Sequence, residues 1–437
     1  MKTRLKQLSS WLLGIAAALL LLALSWVASN GRWADALPRP VSAELALRPV
    51  TVAPERNAFF DMQGLEAPDG VDINAVGRAE LTGEREGGTW QRRWPQGELW
   101  QCKAGERDCV RLWLAHADEL RRDLVPLAVV GERCEALARA EFFEERWTER
   151  PAQGPLSQVS VAALPFPRFA GLTSCMRWFG MRATLEPDVS RAMAELTRAD
   201  RLGRRMLEGA HSLIGTMIGI SLVQNNWLVA GDLLAARHAD PALMEPLLAP
   251  LPASALNPRA WIPHEAWFGR AMLREMTDAV RPCAEGGEAG VEQGWLGRQW
   301  CRLGLGLLPE QSQQDSDAAW LRRLASVPAQ GPVACEVLLS ESWMQANHPS
   351  LAWRNTIARW TLESASGHWQ AYVARQSDLE LLRLTLLASL RHGSLPQGVT
   401  IEPGTDGLRL SACRARVEPR APRALIRLPA LAEAAAR

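Results

Sequence analysis

The sequence predicts an all-α protein: an irregular multi-helix body behind one N-terminal transmembrane helix, closed by a small C-terminal β-hairpin. Three observations carry that reading. Apolar residues recur at helical spacing in segment after segment between residues 109 and 393. One uncharged run, Trp11–Ala28, is long enough to span a bilayer. Strict alternation of apolar and polar side chains occurs convincingly only once, near the C-terminus. No repeat with a period of about 30 to 45 residues is found, so an α-solenoid stands as the alternative architecture.

As a helix rising 1.5 Å per residue, Trp11–Ala28 covers roughly 27 Å, close to a hydrocarbon core of about 30 Å. Lys2, Arg4 and Lys6 lie in the ten residues before it, and no acid occurs before Asp35. The positive-inside rule then keeps residues 1–10 in the cytoplasm and sends everything after the anchor across the membrane. In a bacterium that means a single pass of the inner membrane with the C-terminal body in the periplasm. Trp11 and Trp26 suit the two interfaces. The alternative is a cleaved signal peptide with Ala34-Asp35-Ala36 as its small-x-small site, although the apolar run exceeds the usual signal core and Arg32 and Trp33 crowd that site.

A chain of 437 residues with 47% hydrophobic and 22% charged side chains has the composition of a folded globular protein. Forty-nine basic residues against 48 acidic ones leave none of the electrostatic footprint that nucleic-acid binding requires. Eight cysteines, all beyond the apolar run, fit disulfides in an oxidising compartment. Cys102 and Cys109 are the easiest pair to bridge, and Cys283 with Cys301 brackets a Gly-rich segment that otherwise has little to hold it. Cys134 and Cys175 fall on apolar helix faces, where a buried thiol and a disulfide are equally compatible with the pattern.

Taken in order, residues 29–54 carry Pro38, Pro40, Pro49 and Pro54 without helical periodicity and read as an extended stalk. The helical domain spans 55–393. It opens with a short helix capped by Asn57 and ended by Gly64, whose Phe59 and Phe60 plug into the body or, alternatively, dock a partner. Asp72 caps a second short helix. Gly83–Arg107 is irregular. Helical text resumes at Cys109 and again after Pro126, where Leu127, Val130, Cys134 and Leu137 share a face. Leu172, Cys175, Met176 and Phe179 form a further stripe, and Asp188 caps an amphipathic helix. His211–Leu234 is apolar nearly all round and reads as a central core helix, because Gln224, Asn225 and Asn226 make it too polar for a membrane span. Helices are expected at about 242–249, 258–280, 316–327, 332–346 and 352–364, with QSQQDSD at 311–317 as a surface loop. A last helix, 367–393, is stopped by Gly393. Residues 394–418 contain the hairpin, turning at Gly404–Gly407, and 419–437 form a loosely attached tail.

Three stretches resemble a family of single-pass, mostly helical envelope proteins of proteobacteria: PERNAFFDMQGLEAPDGVD after the stalk, GAHSLIGTMIGI in the core helix, and RNTIARWTLESASGHWQAYVARQSDLELLRLTLLASLRHG near the C-terminus. The resemblance implies the topology and the helical fold. It implies no activity, and the hairpin departs from the group.

Searching for chemistry yields little. His264-Glu265 begins the zinc-protease motif H-E-x-x-H, but position 268 is Phe. Gly219-Ile220-Ser221-Leu222-Val223 lacks the second glycine of a nucleophile elbow. Glu195, Glu208 and Glu265, with nineteen tryptophans, leave a glycan-acting hydrolase as an alternative function. Gln224, Asn225 and Asn226 are the one polar cluster in an apolar setting, either self-satisfied or lining a ligand site. The expectation is therefore a non-enzymatic binding or scaffolding protein with no metal or other cofactor. Its partners are the lipid bilayer, through Trp11–Ala28, and a protein of the cell envelope.

Overall fold

The computed structural model describes residues 2–82, 94–95, 97–146, 167–284, 308–340, 343, 356–391, 393–397, 399–404, 407–417 and 424–426. Among them helices dominate, as the patterning predicts. Helix α1 (Lys2–Asn30) carries the apolar run, and its side chains from Trp11 to Leu24 are exposed. By length and composition Trp11–Asn30 could cross a membrane; so could Leu213–Ala236, but two thirds of that second window is buried inside the body, as a core helix requires.

The heart of the body is three consecutive helices, α7 (Phe169–Leu185), α8 (Val189–Gly209) and α9 (Leu213–Ala236). Asp188 starts α8 by accepting the Arg191 N–H at 2.9 Å, and Ala192, Leu196, Ala199 and Met206 turn inward. Around this trio lie α2 (Ala58–Gln63), α3 (Ile73–Thr82), α4 (Cys109–Ala115), α5 (Ala117–Leu124) and α6 (Ala128–Arg139). Asn57 caps α2, and Phe59 and Phe60 are buried in the body. Helices α2 and α3 approach backbone to backbone at Gly64 and Gly77, where a Cβ on either would collide with the other helix.

A second core gathers α10 (Ile262–Ala284), α11 (Pro309–Ser326), α12 (Cys335–Leu338) and the first half of the body's longest helix, α13 (Thr356–Leu390). Tryptophans fill it. Trp261 and Trp343 both pack on Trp369, with ring centres 5.0 and 6.4 Å apart, and Arg323 lies 4.5 Å over the Trp320 ring.

The start of α9 is satisfied by acids from elsewhere in the chain. Glu145, 3% exposed, accepts the N–H groups of His211 (2.8 Å) and Ser212 (2.9 Å) and the Ser212 hydroxyl (2.5 Å). Glu265 of α10 accepts the Leu213 N–H at 3.0 Å, and the Ser212 hydroxyl oxygen accepts that of Gly215. A side chain at Gly215 would meet the Glu145 carboxylate, so glycine there is a condition of the cap.

Four expectations need correction. The extended stalk over 29–54 is instead stitched to the body. Leu45 is fully buried in the second core, Arg48 donates to the Arg259 carbonyl, and the N–H groups of Thr51 and Val52 donate to the buried Glu144 (3.1 and 2.9 Å). Asp35 accepts the N–H groups of Glu310 (3.2 Å) and Gln311 (2.9 Å) at the start of α11. Prolines made this segment extended, but an extended strand with free N–H groups is what side-chain acceptors can bind.

Residues 311–317 are not a loop but the first turns of α11, where several of the polar groups that suggested solvent find partners. The Ser312 hydroxyl donates to the Leu308 carbonyl, Gln311 donates to Asp315, and Asp317 pairs with Arg270 at 2.8 Å. The helices expected at 352–364 and 367–393 run together as α13, and that at 332–346 is reduced to α12 among the described residues. Finally, an isolated C-terminal hairpin is not supported. Strands β1 (Thr400–Gly404) and β2 (Gly407–Ser411) pair antiparallel, but β3 (Ala424–Ile426), from the supposed loose tail, adds to β2 as a third strand. Residues Cys413–Val417 form helix α14, which Cys413 bridges to Cys335 of α12. Cys134 is bridged to Cys175, joining α6 to α7. The side chains of Cys283 and Cys301 lie outside the described residues.

Asp378 of α13 accepts the Arg414 N–H at 3.1 Å from either oxygen and so holds α14. Burial pushes its carboxyl up to about 6, against the pull of those N–H groups and of Arg414 and Arg375. A carboxyl raised in the folded state stabilises below its unfolded value, and that contribution is lost as pH rises through about 6. In Asp378→Asn the dependence of melting temperature on pH between about 4 and 6 flattens, as read by scanning calorimetry.

Replacing Glu145 by Ala strands several buried donors and lowers the unfolding free energy by about 3 kcal/mol. Ser212→Ala costs about 1 kcal/mol. Urea denaturation of the detergent-solubilised chain, followed by tryptophan fluorescence, measures both.

Candidate functional site: a cavity beneath the Cys102–Cys109 loop

Two features that stand out separately in the sequence meet in space. The loop from Cys102 to Cys109 and the polar stretch of α9 line one small cavity, walled on its third side by α7. The loop is built to close on itself. Cys102 and Cys109 are joined with their Cα atoms 5.7 Å apart, Lys103 pairs with Glu106 at 3.0 Å, and the Asp108 carboxylate caps α4 through the Arg111 N–H. Trp113 of α4 anchors the loop's entry by donating its indole N–H to the Leu99 carbonyl at 2.9 Å. Trp100 does the same through Asp123 at 3.2 Å.

The three amides divide. Asn226 is buried and committed: its amide donates to the Leu196 carbonyl of α8 at 2.9 Å and contacts Asp200, which also accepts from Trp227 (2.9 Å) and pairs with Arg204. Burial raises the Asp200 carboxyl above its ordinary value, with the Arg204 charge opposing. Asn225, one residue earlier and half-buried, lines the cavity and makes no hydrogen bond among the described residues. Gln224 lies off the cavity wall, half-buried. Reading them as one cluster therefore merges a structural amide that also reaches the cavity wall, a second cavity amide and a third off that wall.

Arg177 of α7 is the residue that sequence reasoning missed. It lines the cavity half-buried, and burial pushes its guanidinium below the ordinary value while leaving it charged. Several other buried arginines are tied down: Arg133 donates to the Leu65 and Ala67 carbonyls, Arg204 to those of Leu247 and Ala249, and Arg383 to Leu248 and Glu380, while Arg323 lies over the Trp320 and Trp369 rings. Among the described residues Arg177 makes no hydrogen bond or ion pair, and it alone of these lines the cavity. The signal was present in the spacing, since Thr173, Arg177 and Gly180 at i, i+4 and i+7 form a second face beside the Leu172 stripe.

The glutamates proposed for glycan chemistry are engaged elsewhere or solvated. Glu195 lies between Arg182 (3.0 Å) and Arg198 (3.2 Å), Glu265 caps α9, and Glu208 is exposed. None lines the cavity. His264 is buried 3.6 Å from Glu265 and against Trp267, and among the described residues no three His, Cys, Asp or Glu side chains converge as metal ligands would. Comparison with known proteins gives no matching family model, no matching curated protein and no matching solved structure. The resemblance to proteobacterial envelope proteins accordingly carries no residue role into this site.

Opening the short disulfide loop with the paired Cys102→Ser and Cys109→Ser changes lowers unfolding free energy by about 2 kcal/mol on loop-entropy grounds. Urea denaturation against the parent chain gives the difference.

Proposed function

We propose that this chain is a membrane-anchored protein whose disulfide-braced body works outside the cytoplasm as a non-enzymatic binding or scaffolding component of the cell envelope. The observation that carries the reading is the coexistence of a fully exposed apolar helix at one end with disulfides at Cys102–Cys109, Cys134–Cys175 and Cys335–Cys413 in the body. An aqueous protein does not leave an apolar run such as Trp11–Leu24 bare, and a reducing cytosol does not maintain such bridges. The basic residues before the helix set the orientation.

Retention of the helix is supported by Asp35. Cleavage after Ala36 would remove the carboxylate that accepts both N–H groups at the start of α11. Against the glycan-acting alternative stand the engagement of Glu195 in an ion-pair network and of Glu265 in a helix cap.

Topology is tested by fusing alkaline phosphatase or green fluorescent protein after Arg437 in a Gram-negative host. The phosphatase fusion is active and the fluorescent one dark, and maleimide-polyethylene glycol shifts the denatured chain only after reduction. A bright fluorescent fusion together with freely reactive thiols would overturn the proposal.

A further inference from the structure

We propose that the cavity beneath the Cys102–Cys109 loop binds a small monocarboxylate, with Arg177 taking the charge and Asn225 donating beside it. This inference does not rest on the topology proposed above, because it follows from the cavity wall alone. Arg177 and Asn225 both line the same space, and among the described residues neither has a hydrogen-bond partner. A half-buried guanidinium beside an apolar wall gains by pairing with an anion, and its planar fork matches a carboxylate with two parallel N–H donors.

The remaining wall selects among anions. The disulfide, Trp113, Met176, Leu222 and Val229 present mostly apolar surface, suited to a short hydrocarbon substituent and not to a fully hydrated ion. Charge points the same way. Lys103, at the rim, is already paired with Glu106, so one cation remains uncompensated, enough for a monoanion and too little for a phosphate dianion. The cavity offers about 50 Å³ to the centres of water-sized groups. That space is small, suited to a carboxylate bearing a short substituent and not to a long chain. The same group can arrive as a free short-chain acid or as the carboxyl end of a peptide, entering by way of the loop's rim.

The test is ligand-observed NMR on the full chain in detergent micelles with three probes: propionate, its neutral isostere propionamide, and N-acetylalanylalanine, which presents a terminal carboxylate. Propionate or the peptide binds, and propionamide binds at least tenfold more weakly than propionate. Arg177→Gln loses at least tenfold, Arg177→Lys retains part of the affinity, and Asn225→Ala loses a smaller factor. Tighter binding of the peptide identifies a chain end as the ligand; binding of propionate alone identifies a free acid, and either supports the site. Binding of neither up to about 10 mM, equal binding of propionamide, or undiminished binding in Arg177→Gln overturns it. If Arg177→Gln does not fold, the propionate–propionamide comparison in the parent chain and the Asn225→Ala variant decide between the same two outcomes.

Discussion

The body depends on how the buried start of an apolar helix is satisfied. Helix α9 lies inside the protein, and its first N–H groups point where water is scarce. Glu145 and Glu265 answer them from two different parts of the chain, and the Ser212 hydroxyl completes the set. Because Glu145 precedes Arg146 and follows Glu144 in one buried loop, the same few residues also grip the segment before α2. Burial alone would raise the Glu144 carboxyl, but the N–H groups of Val52 and Thr51 and the Arg146 charge outweigh it and hold it below the ordinary range. Three acids thus tie the N-terminal segment, the central helix and α10 into one unit.

The sequence displayed helices well where burial alone decides them. The faces of α6, α7 and α8, the caps at Asn57, Asp72 and Asp188, and the core position of α9 all follow from spacing and short-range hydrogen bonding. What failed was decided at long range. Asp317 looks like a loop residue until Arg270, 47 residues away, is brought beside it, and Asp35 is 275 residues from the Glu310 N–H group it caps. Prolines between residues 29 and 54 said nothing about what that segment would lie against. No local pattern encodes such pairings.

The candidate site was half legible. A cysteine pair seven residues apart and an amide cluster in an apolar helix were both visible, but not their meeting, which depends on the packing of α4 and α7 on α9. Arginine abundance hid the decisive side chain. Against a background in which Arg133, Arg204 and Arg383 clamp backbone carbonyls, only the structure shows which guanidinium lines a cavity without an acceptor among the described residues.

The stitched segment changes how far the body can wander. Twenty-six free residues from 29 to 54 would act as a leash with a root-mean-square reach of about 28 Å. With Asp35 fastened to α11 and Leu45 sunk in the second core, that leash is reeled in within a few residues of the end of α1. If α1 sits in lipid, the body is a fixture on the bilayer with one side turned permanently toward the headgroups. Anything that meets it must then come to the membrane surface, and must approach from the remaining sides.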